Sequence, residues 1–343
     1  MTNEGITVSI VENCPLCKNK GKILYQNLRD RLFGAPGIWN LMYCANCEIA
    51  WLNPMPVPED IPKLYKEYFT HEAYNPEESA IAGLKKLIKY SILKSTYGYH
   101  MDGANFLLGK LLSLIGPLED IVGGSVMYLK SFPKGRLLDV GCGNGFFLYQ
   151  MKKLGWEVVG VEPDGDAVKV AHEKYGLEVF QGTLEDINFP ENSFDVITMN
   201  HVIEHVPDPF STLKECKRVL KPGGKVVVIT PNIKSLANNI FGKDWRGWEP
   251  PRHLFLFSSK SLKACAEHVG LTVDKLWTVS KSARYVWWAS REIKREGKLP
   301  GGQPKNLSFG LKLEGFVFWA LEYLLCKIKD VGEEIVMIAK KED

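Results

Sequence analysis

The chain has 343 residues, 45% of them hydrophobic, and its formal net charge is only +3 at pH 7. A chain of this length and composition can bury a full core, and about two domains are expected. The near-neutral charge gives no general attraction to nucleic acid, so a nucleic-acid partner is not favoured. The sequence lacks the features of a signal peptide or a spanning helix, so we expect a cytoplasmic protein.

Two Cys-x-x-Cys motifs near the start predict a structural zinc site. Cys14 and Cys17 form the first motif, and Cys44 and Cys47 form the second. Each motif can present two thiolates to one tetrahedral Zn²⁺, and four thiolates leave no open coordination position. We therefore predict that residues 1–55 form a zinc ribbon in which the metal supports the fold.

The next segment is interpreted as a linker followed by helices. The four prolines of WLNPMPVPEDIP, residues 51–62, disfavour regular structure and indicate the end of the first domain. Beyond them the apolar residues are spaced as in a helix, for example in IAGLKKLIKYSILKS, residues 81–95. We expect residues 56–130 to form a helical bridge or lid over the following domain.

From residue 131 onward, strand-like and helical segments alternate, which is typical of an α/β domain with a largely parallel sheet. The candidate strands are RLLDVG, EVVGVE, LEVFQG, FDVITMN, KVVVIT, LTVDKLWTVS and EEIVMIAKK. We predict a Rossmann-like seven-stranded sheet with helices on both faces over residues 131–343. An aromatic-rich insertion, residues 281–331, is expected to be a lid, a homodimer contact or a peripheral membrane contact.

A glycine-rich turn follows the first strand, at the end of the sheet where such folds bind ligands. The turn has the pattern G-x-G-x-G at residues 141–145, and Phe146 occupies the position of the last glycine in the dinucleotide fingerprint. Asp139 precedes the turn, where a carboxylate would repel a pyrophosphate but attract a cation. Glu162 ends the second strand and can accept hydrogen bonds from both ribose hydroxyls. The pattern favours a cationic adenosine ligand over a dinucleotide.

Together with later motifs, this region resembles the class I S-adenosylmethionine-dependent methyltransferases. The matching stretches are LLDVGCGNG, GVEPD, QGTLEDINFPENSFDVITMNHVIEHVPDP and LKPGG. The resemblance implies that S-adenosylmethionine is the cofactor, with Asp139 and the glycine turn at its methionine end, Glu162 at the ribose, and Thr183 and Leu184 beside the adenine. The residues expected to contact the cofactor are Asp139, Gly141, Cys142, Gly143, Gly145, Glu162, Pro163, Thr183, Leu184 and Asn200.

The stretch MNHVIEHVPDP follows the fourth strand and contains the candidate catalytic residues. If a helix begins there, His201, Glu204 and His205 share one of its faces. The string also matches the H-x-x-E-H pattern of some metalloproteases, but the end of a strand in a cofactor-binding sheet is the wrong context for that site. The cluster resembles that of metal-dependent ubiquinone-pathway and small-RNA O-methyltransferases, with His201 in place of a glutamate.

Three roles for this cluster remain open. His205 could be the general base that takes the proton from a substrate hydroxyl. Alternatively, His201, Glu204 and His205, with His253 as a fourth ligand, could bind a divalent metal that acidifies that hydroxyl. Some of these side chains could instead only hold the site in shape.

The stretch GKDWRGWEPPRHLFLF, residues 242–257, resembles a branch of bacterial methyltransferases that decorate surface polysaccharides and deoxysugars. Trp245 and Trp248 flank Arg246, a combination that would stack on a sugar ring and bind an anion, unless both indoles pack in the core. We therefore predict O-methylation of a sugar hydroxyl in glycan or related small-molecule biosynthesis, with His205 as the base.

Other functions stay open at this stage. A zinc ribbon ahead of a methyltransferase could bind RNA through a basic face, and a metal-assisted enzyme could methylate a phenolic or quinone-like substrate. A binding protein without catalysis is disfavoured by the intact cofactor turn. The basic residues that an RNA-binding face would use are Lys18, Lys20, Lys22, Arg29 and Arg31.

Overall fold

The computed structural model describes residues 1–65, 80–131, 133–304 and 307–342. The chain forms two compact units. The first consists of Met1–Tyr68, His201–Lys214 and Val228–Ala339, and the second of Phe69–Asn200, Glu215–Val227 and Lys340–Asp343. The domain limits expected from the sequence stay a prediction, and residues 66–79 of the expected bridge lie outside the described residues.

The strands of the described residues are, in chain order, β1 (Thr2–Asn3), β2 (Ile6–Ser9), β3 (Lys22–Leu28), β4 (Trp39–Cys44), β5 (Ile49–Asn53), β6 (Met55–Pro56), β7 (Arg136–Val140), β8 (Glu157–Glu162), β9 (Glu178–Gln181), β10 (Phe194–Asn200), β11 (Leu220–Pro231), β12 (Phe255–Leu256), β13 (Thr272–Val279) and β14 (Glu334–Lys340). The α-helices are α1 (Ala80–Tyr97), α2 (Phe106–Ser113), α3 (Gly116–Gly124), α4 (Phe146–Lys153), α5 (Gly165–Tyr175), α6 (Leu184–Ile187), α7 (Pro209–Val219), α8 (Leu236–Phe241), α9 (Ser259–His268), α10 (Ala283–Glu296) and α11 (Phe309–Leu325).

The predicted α/β fold is confirmed. All seven strands expected from the sequence belong to one sheet with the order β13-β14-β11-β10-β7-β8-β9. Strands β10, β7, β8 and β9 are parallel to one another. Their apolar runs are buried almost throughout, as in Leu137, Val159 and Ile197, because a parallel sheet is covered on both faces.

Two small antiparallel sheets are built largely from the N-terminal residues. One has the order β1-β2-β6, and the other has the order β12-β5-β4-β3. In the second sheet Phe255 pairs with Trp51, and Leu256 pairs with Ala50. A segment from far along the chain therefore completes the sheet that contains the second cysteine motif.

The proline-rich stretch at residues 51–62 is not the irregular linker that we expected. Its first residues belong to β5, where Trp51 and Leu52 are fully buried and the Trp51 indole donates to the Val11 carbonyl at 2.8 Å. Residues Pro58–Tyr65 form a 3₁₀-helix that contains Pro62. Proline is tolerated at strand ends and in such short helices, so the apolar residues determine the structure here.

The structure contains helices both in the expected helical bridge and in the aromatic-rich insertion. Residues 81–95 lie within α1, which packs against α2. The insertion at 281–331 contains α10 and α11, and the Trp288 indole donates to the Leu311 carbonyl at 2.7 Å between them. Within the described residues, none of the helices combines the length and apolar character that crossing a bilayer requires.

Candidate active site

The glycine turn after β7 has a backbone that glycine favours. Gly141, Gly143 and Gly145 all have positive φ angles between 54° and 78°, a region that residues with a Cβ adopt only with strain. A Cβ on Gly145 would also lie 2.9 Å from the Cβ of Ala171 and 2.7 Å from a methyl group of Leu177. The turn therefore packs closely against α5.

Two buried acids flank this turn. Asp139 in β7 accepts a hydrogen bond from the Thr198 hydroxyl at 2.6 Å. Burial raises the pKa of Asp139 to about 7, the Thr198 hydrogen bond opposes this shift, and the charge of Glu162 adds to it. An added cation would stabilise the ionised form. The buried carboxyl group is therefore suited to a positively charged ligand.

Glu162 at the end of β8 is held by two backbone amides. One carboxylate oxygen accepts from Gly143 N at 2.8 Å and the other accepts from Asp164 N at 3.0 Å. Burial raises the pKa of Glu162, and these two hydrogen bonds oppose the shift. Each oxygen retains a further lone pair, so the carboxylate can still accept from two hydroxyls of a ligand.

The remaining predicted cofactor residues offer mainly backbone groups. Thr183 caps α6, and its hydroxyl donates to Asp186 at 2.7 Å, while the Leu184 side chain is buried. Cys142 is also buried, whereas Pro163 and Asn200 are exposed. All ten predicted residues belong to the second unit and lie at or just after the ends of β7, β8, β9 and β10.

The helix that would place His201, Glu204 and His205 on one face does not begin at His201. Residues 201–208 form turns, and α7 begins at Pro209. His201 has a φ of +56°, and its amide donates to the Ile229 carbonyl at 2.8 Å. Because Pro207 and Pro209 disfavour helical conformation in the residues before them, the stretch turns instead of continuing as a helix.

Glu204 is a fully buried carboxylate. It accepts from His201 Nδ1 at 3.1 Å and from the Thr230 hydroxyl at 2.9 Å. Burial favours its neutral form, but the hydrogen bond and charge of His201, with the charges of His205 and His253, lower the pKa of Glu204 to about 2. The carboxylate is thus held ionised among three imidazoles.

Glu334, at the start of β14, is a member of this cluster that we did not predict. Its carboxylate lies 3.4 Å from His201 Nε2, so His201 bridges Glu204 and Glu334. Loss of solvation opposes the charged imidazole, but the two carboxylates raise the pKa of His201 to about 10. The only signal in the sequence was an acidic pair that opens a buried strand.

His205 and His253 each have one ring nitrogen committed to a backbone carbonyl. His205 Nδ1 lies 3.1 Å from the Arg252 carbonyl and 2.9 Å from the Tyr65 hydroxyl, and His253 Nδ1 lies 2.7 Å from the Gly247 carbonyl. A carbonyl oxygen only accepts, so either ring can donate to its carbonyl only in the tautomer that carries the proton on Nδ1, and in that tautomer Nε2 keeps its lone pair. The centroids of the two imidazole rings are 4.7 Å apart.

Three of the four expected catalytic residues therefore converge. One ligand atom each from Glu204, His205 and His253 lie within 4.8 Å of one another. Burial and the neighbouring His205 lower the pKa of His253 to about 4, so this ring is neutral near pH 7. His201 stands outside the group and pairs with the carboxylates instead. This cluster belongs to the first unit.

Comparison with known proteins agrees with these features. Residues 122–276 match the family model described as a methyltransferase domain. This chain contains a methyltransferase domain. The matched segment of the domain includes the glycine turn, Asp139, Glu162 and the histidine cluster, but not Glu334.

Curated relatives match a similar part of the chain. The ubiquinone biosynthesis O-methyltransferase of Cereibacter sphaeroides is 40% identical over 117 residues, which are 32% of this chain and 47% of the relative. The enzyme of the same name from Maricaulis maris is 38% identical over 124 residues, 34% of this chain and 49% of the relative. The chain thus spans about half the length of the curated relatives that it matches.

Among solved structures, a SAM-dependent methyltransferase from Archaeoglobus fulgidus is 23% identical, with a TM-score of 0.42 and coverage of 74% of this chain and 99% of that chain.

The tryptophan pair of the methyltransferase domain does not form a sugar-stacking surface, so the core alternative is the correct one. Trp245 and Trp248 are each 1% exposed. The Trp245 indole donates to Glu333 at 2.6 Å, and the Trp248 indole donates to the Gly242 carbonyl at 2.8 Å. Arg246 between them is hydrogen-bonded to Glu249. All three side chains make these hydrogen bonds within the first unit.

The four cysteines of the two motifs come together ahead of the methyltransferase domain. The sulfur atoms of Cys14, Cys17, Cys44 and Cys47 lie within 4.8 Å of one another, and those of Cys17 and Cys44 are 3.6 Å apart. Tetrahedral Zn²⁺ with Zn–S bonds of about 2.3 Å requires sulfur atoms about 3.8 Å apart. The geometry and the all-thiolate donor set fit zinc.

The basic residues near the cysteines are largely paired with acids or the backbone. Arg29 binds Glu4 at 2.9 Å and Arg31 binds Asp244 at 2.7 Å. Lys20 lies 3.7 Å from Glu12. This pairing reduces the positive potential that an RNA-binding face would need.

Proposed function

We propose that this protein is an S-adenosylmethionine-dependent O-methyltransferase. The observation that carries the proposal is the pair of buried carboxylates, Asp139 and Glu162, on either side of a glycine turn. S-adenosylmethionine supplies a methyl group on a positively charged sulfur and also carries an ammonium group and a ribose. Asp139 would offset positive charge and Glu162 would bind the ribose hydroxyls. The relatives that match this region are named O-methyltransferases.

Calorimetry with S-adenosylhomocysteine tests the cofactor. This product keeps the ammonium and ribose groups, so we expect it to bind, and replacing Glu162 with glutamine should weaken binding because one acceptor oxygen is lost. Glu173→Gln, an exposed change on α5, is the control. Tight binding of NAD with no heat from S-adenosylhomocysteine would refute the proposal.

We further propose that His205 is the general base. The acceptor hydroxyl oxygen forms the new C–O bond as the C–S bond breaks, the sulfur keeps the electron pair, and the hydroxyl proton passes to His205 Nε2. This assignment is supported by the Arg252 carbonyl, to which a protonated Nδ1 would donate, so that Nε2 of that tautomer could accept the proton.

The acceptor class is proposed to be a sugar hydroxyl in surface-glycan or related small-molecule biosynthesis. The support for this class is the resemblance of residues 242–257 to bacterial methyltransferases that decorate surface polysaccharides and deoxysugars. The buried tryptophans do not support it. Release of S-adenosylhomocysteine should be measured with nucleotide-linked deoxysugars and with catechol-type phenols in parallel. Turnover of phenols alone would replace the sugar by a phenolic or quinone-like acceptor.

A second mechanism is favoured by the convergence of Glu204, His205 and His253. Two imidazoles and a carboxylate whose ligand atoms lie within 4.8 Å of one another are a fitting donor set for a divalent cation. These residues would hold the metal, which would lower the pKa of the acceptor hydroxyl. Calorimetry with Mn²⁺ tests binding without any substrate. Glu204→Gln should abolish the heat, whereas Glu267→Gln should not. Unchanged binding in Glu204→Gln would exclude this site.

The four cysteines are proposed to hold one structural zinc. Their sulfur geometry supports this role, and a four-thiolate site has no open position for a substrate.

A further inference from the structure

Helix α11 has a carboxyl group on its buried side and large apolar side chains on its exposed side. Its buried residues are Gly315, Phe318 and Glu322. The Glu322 carboxyl accepts from Glu333 N at 2.9 Å, and the Phe318 ring stacks on Trp287 with centroids 4.5 Å apart. The inward side of this helix therefore contains a carboxyl group that is anchored to the backbone.

The outward side of the same helix is apolar. The large apolar side chains there are between 49% and 84% exposed and recur at intervals of mostly three or four residues: Phe309, Leu313, Phe316, Val317, Leu321, Leu324 and Ile328. This spacing places them in one stripe that is about 30 Å long. A helix in a globular protein normally turns such a stripe towards the core. An exposed stripe of this size indicates an interaction surface.

The exposed charges along the stripe are mostly positive. Within residues 307–330 the exposed charged side chains are Lys312, Lys327, Lys329 and Asp330. The half-buried Glu314 is neutralised by Arg291 at 3.0 Å, and Lys327 lies over the Tyr323 ring at 4.6 Å. Lysines at both ends of an apolar stripe with aromatic residues are typical of helices that lie in a membrane interface.

We propose that the outer face of α11 is a docking surface for an anionic lipid bilayer. The apolar stripe would enter the boundary between headgroups and acyl chains, while the lysines contact anionic headgroups. A second copy of the chain fits less well, because lysines at both ends would face lysines in a parallel or an antiparallel pair. The inference is independent of the proposed methyl-transfer chemistry.

Co-sedimentation of the full chain with vesicles tests this surface. We expect at least tenfold stronger binding to vesicles of phosphatidylcholine with phosphatidylglycerol than to phosphatidylcholine alone. The double variant Phe316→Glu and Leu324→Glu should lose this binding, and circular dichroism should show an unchanged fold because both side chains are exposed. The control is Ile240→Glu, a single exposed apolar residue on α8.

The lysines are tested by charge reversal. Replacing Lys312, Lys327 and Lys329 with glutamate should abolish the preference for anionic vesicles. The same change at Lys260, Lys263 and Lys275, also exposed in this unit, alters the net charge equally and should keep it. Absence of vesicle binding, or binding unaffected by Phe316→Glu and Leu324→Glu, would overturn the proposal. So would a dimer in sedimentation velocity that this double variant dissociates.

Discussion

Asp139 is a buried residue whose ionised form is disfavoured by the loss of solvent. Its pKa of about 7 lies above the usual value of about 3.9, so the folded chain binds this proton more tightly than the unfolded chain. Stability therefore falls as the pH rises from about 4 to about 7, and the penalty is complete above that range.

Asp139→Asn should remove this penalty and keep an acceptor for Thr198. We expect a higher melting temperature at pH 8 without ligand, little change at pH 4, and weaker binding of S-adenosylhomocysteine. Thermal unfolding at both pH values and calorimetry measure these effects, with the exposed Asp166→Asn as a control. Lower stability at pH 8 together with unchanged affinity would contradict the interpretation.

The general-base and metal mechanisms both require His205, and they differ in what they predict for the other residues. His205→Ala should lower turnover by roughly 10² to 10⁴, as expected for the loss of a general base, with little change in cofactor affinity. If a metal is used, His253→Ala should lose as much and chelators should abolish activity. His268→Ala, at the end of α9, is the control. Near-normal turnover in His205→Ala would exclude both accounts and leave alignment of the reactants alone.

At the scale of elements, a buried ion pair joins the turn after β3 to the segment before β12. Arg252 is 1% exposed and makes two hydrogen bonds to Asp30, at 2.8 and 3.1 Å, and one to Glu249 at 2.9 Å. Although burial opposes ionisation, Arg252 lowers the pKa of Asp30. The guanidinium therefore neutralises the buried Asp30 carboxylate and, together with Arg246, offsets the charge of Glu249.

Arg252→Leu should destabilise the fold by about 3–5 kcal/mol, because it leaves the buried Asp30 carboxylate without its charged partner. Urea denaturation measures the loss. Arg29→Leu removes a similarly bidentate but exposed pair with Glu4 and should change stability little. Equal effects of the two substitutions would show that burial does not determine the energy of these pairs.

The strands around the cysteines should depend on the metal. Cys44→Ser removes one of four thiolates, so the zinc content should fall from about one per chain and hydrogen exchange should increase in β3, β4 and β5. Cys326→Ser, outside the cysteine cluster, is the control. Protein purified without oxygen that contains no zinc would contradict the assignment.

The elements that could be predicted are those whose signal is local. All seven strands of the large sheet were identified from apolar runs, and the glycine turn from its position after one of them. The pairing of β5 with β12 could not be predicted, because Trp51 gives no indication that its partner is Phe255. The conformation of His201 was missed because its spacing suggested a helix while the following prolines and the bond to Ile229 determined a turn. Glu334 joins the site only through the order of the strands.

At the scale of the whole molecule, two buried carboxyl groups are expected to make stability depend on pH. Burial, with the charge of Glu333, raises the pKa of Glu322 to about 10, and burial raises that of Glu333 to about 8. The raised pKa values favour the protonated form of both carboxyl groups at pH 7. Their folded pKa values exceed the unfolded ones, so the stability they contribute is greatest below about pH 4 and is lost as the pH rises to about 8 and then 10.

The free energy of unfolding should therefore be lower at pH 9 than at pH 6, and Glu322→Gln should reduce this difference. Urea titrations at the two pH values provide the comparison, with the exposed Glu267→Gln as the control. A pH dependence that is identical in the wild type and in Glu322→Gln would mean that other groups cause it.

The pairing of β5 with β12 has a consequence for synthesis of the chain. Residues 255 and 256 are made after about 200 further residues, which takes a ribosome roughly 10 to 40 seconds at 5–20 residues per second. Until then the edge of β5 has no neighbour, and such an edge invites pairing with other chains. The four cysteines are all translated before that interval begins. We therefore expect early capture of zinc to hold β4 and β5 together on the nascent chain until their last strand emerges.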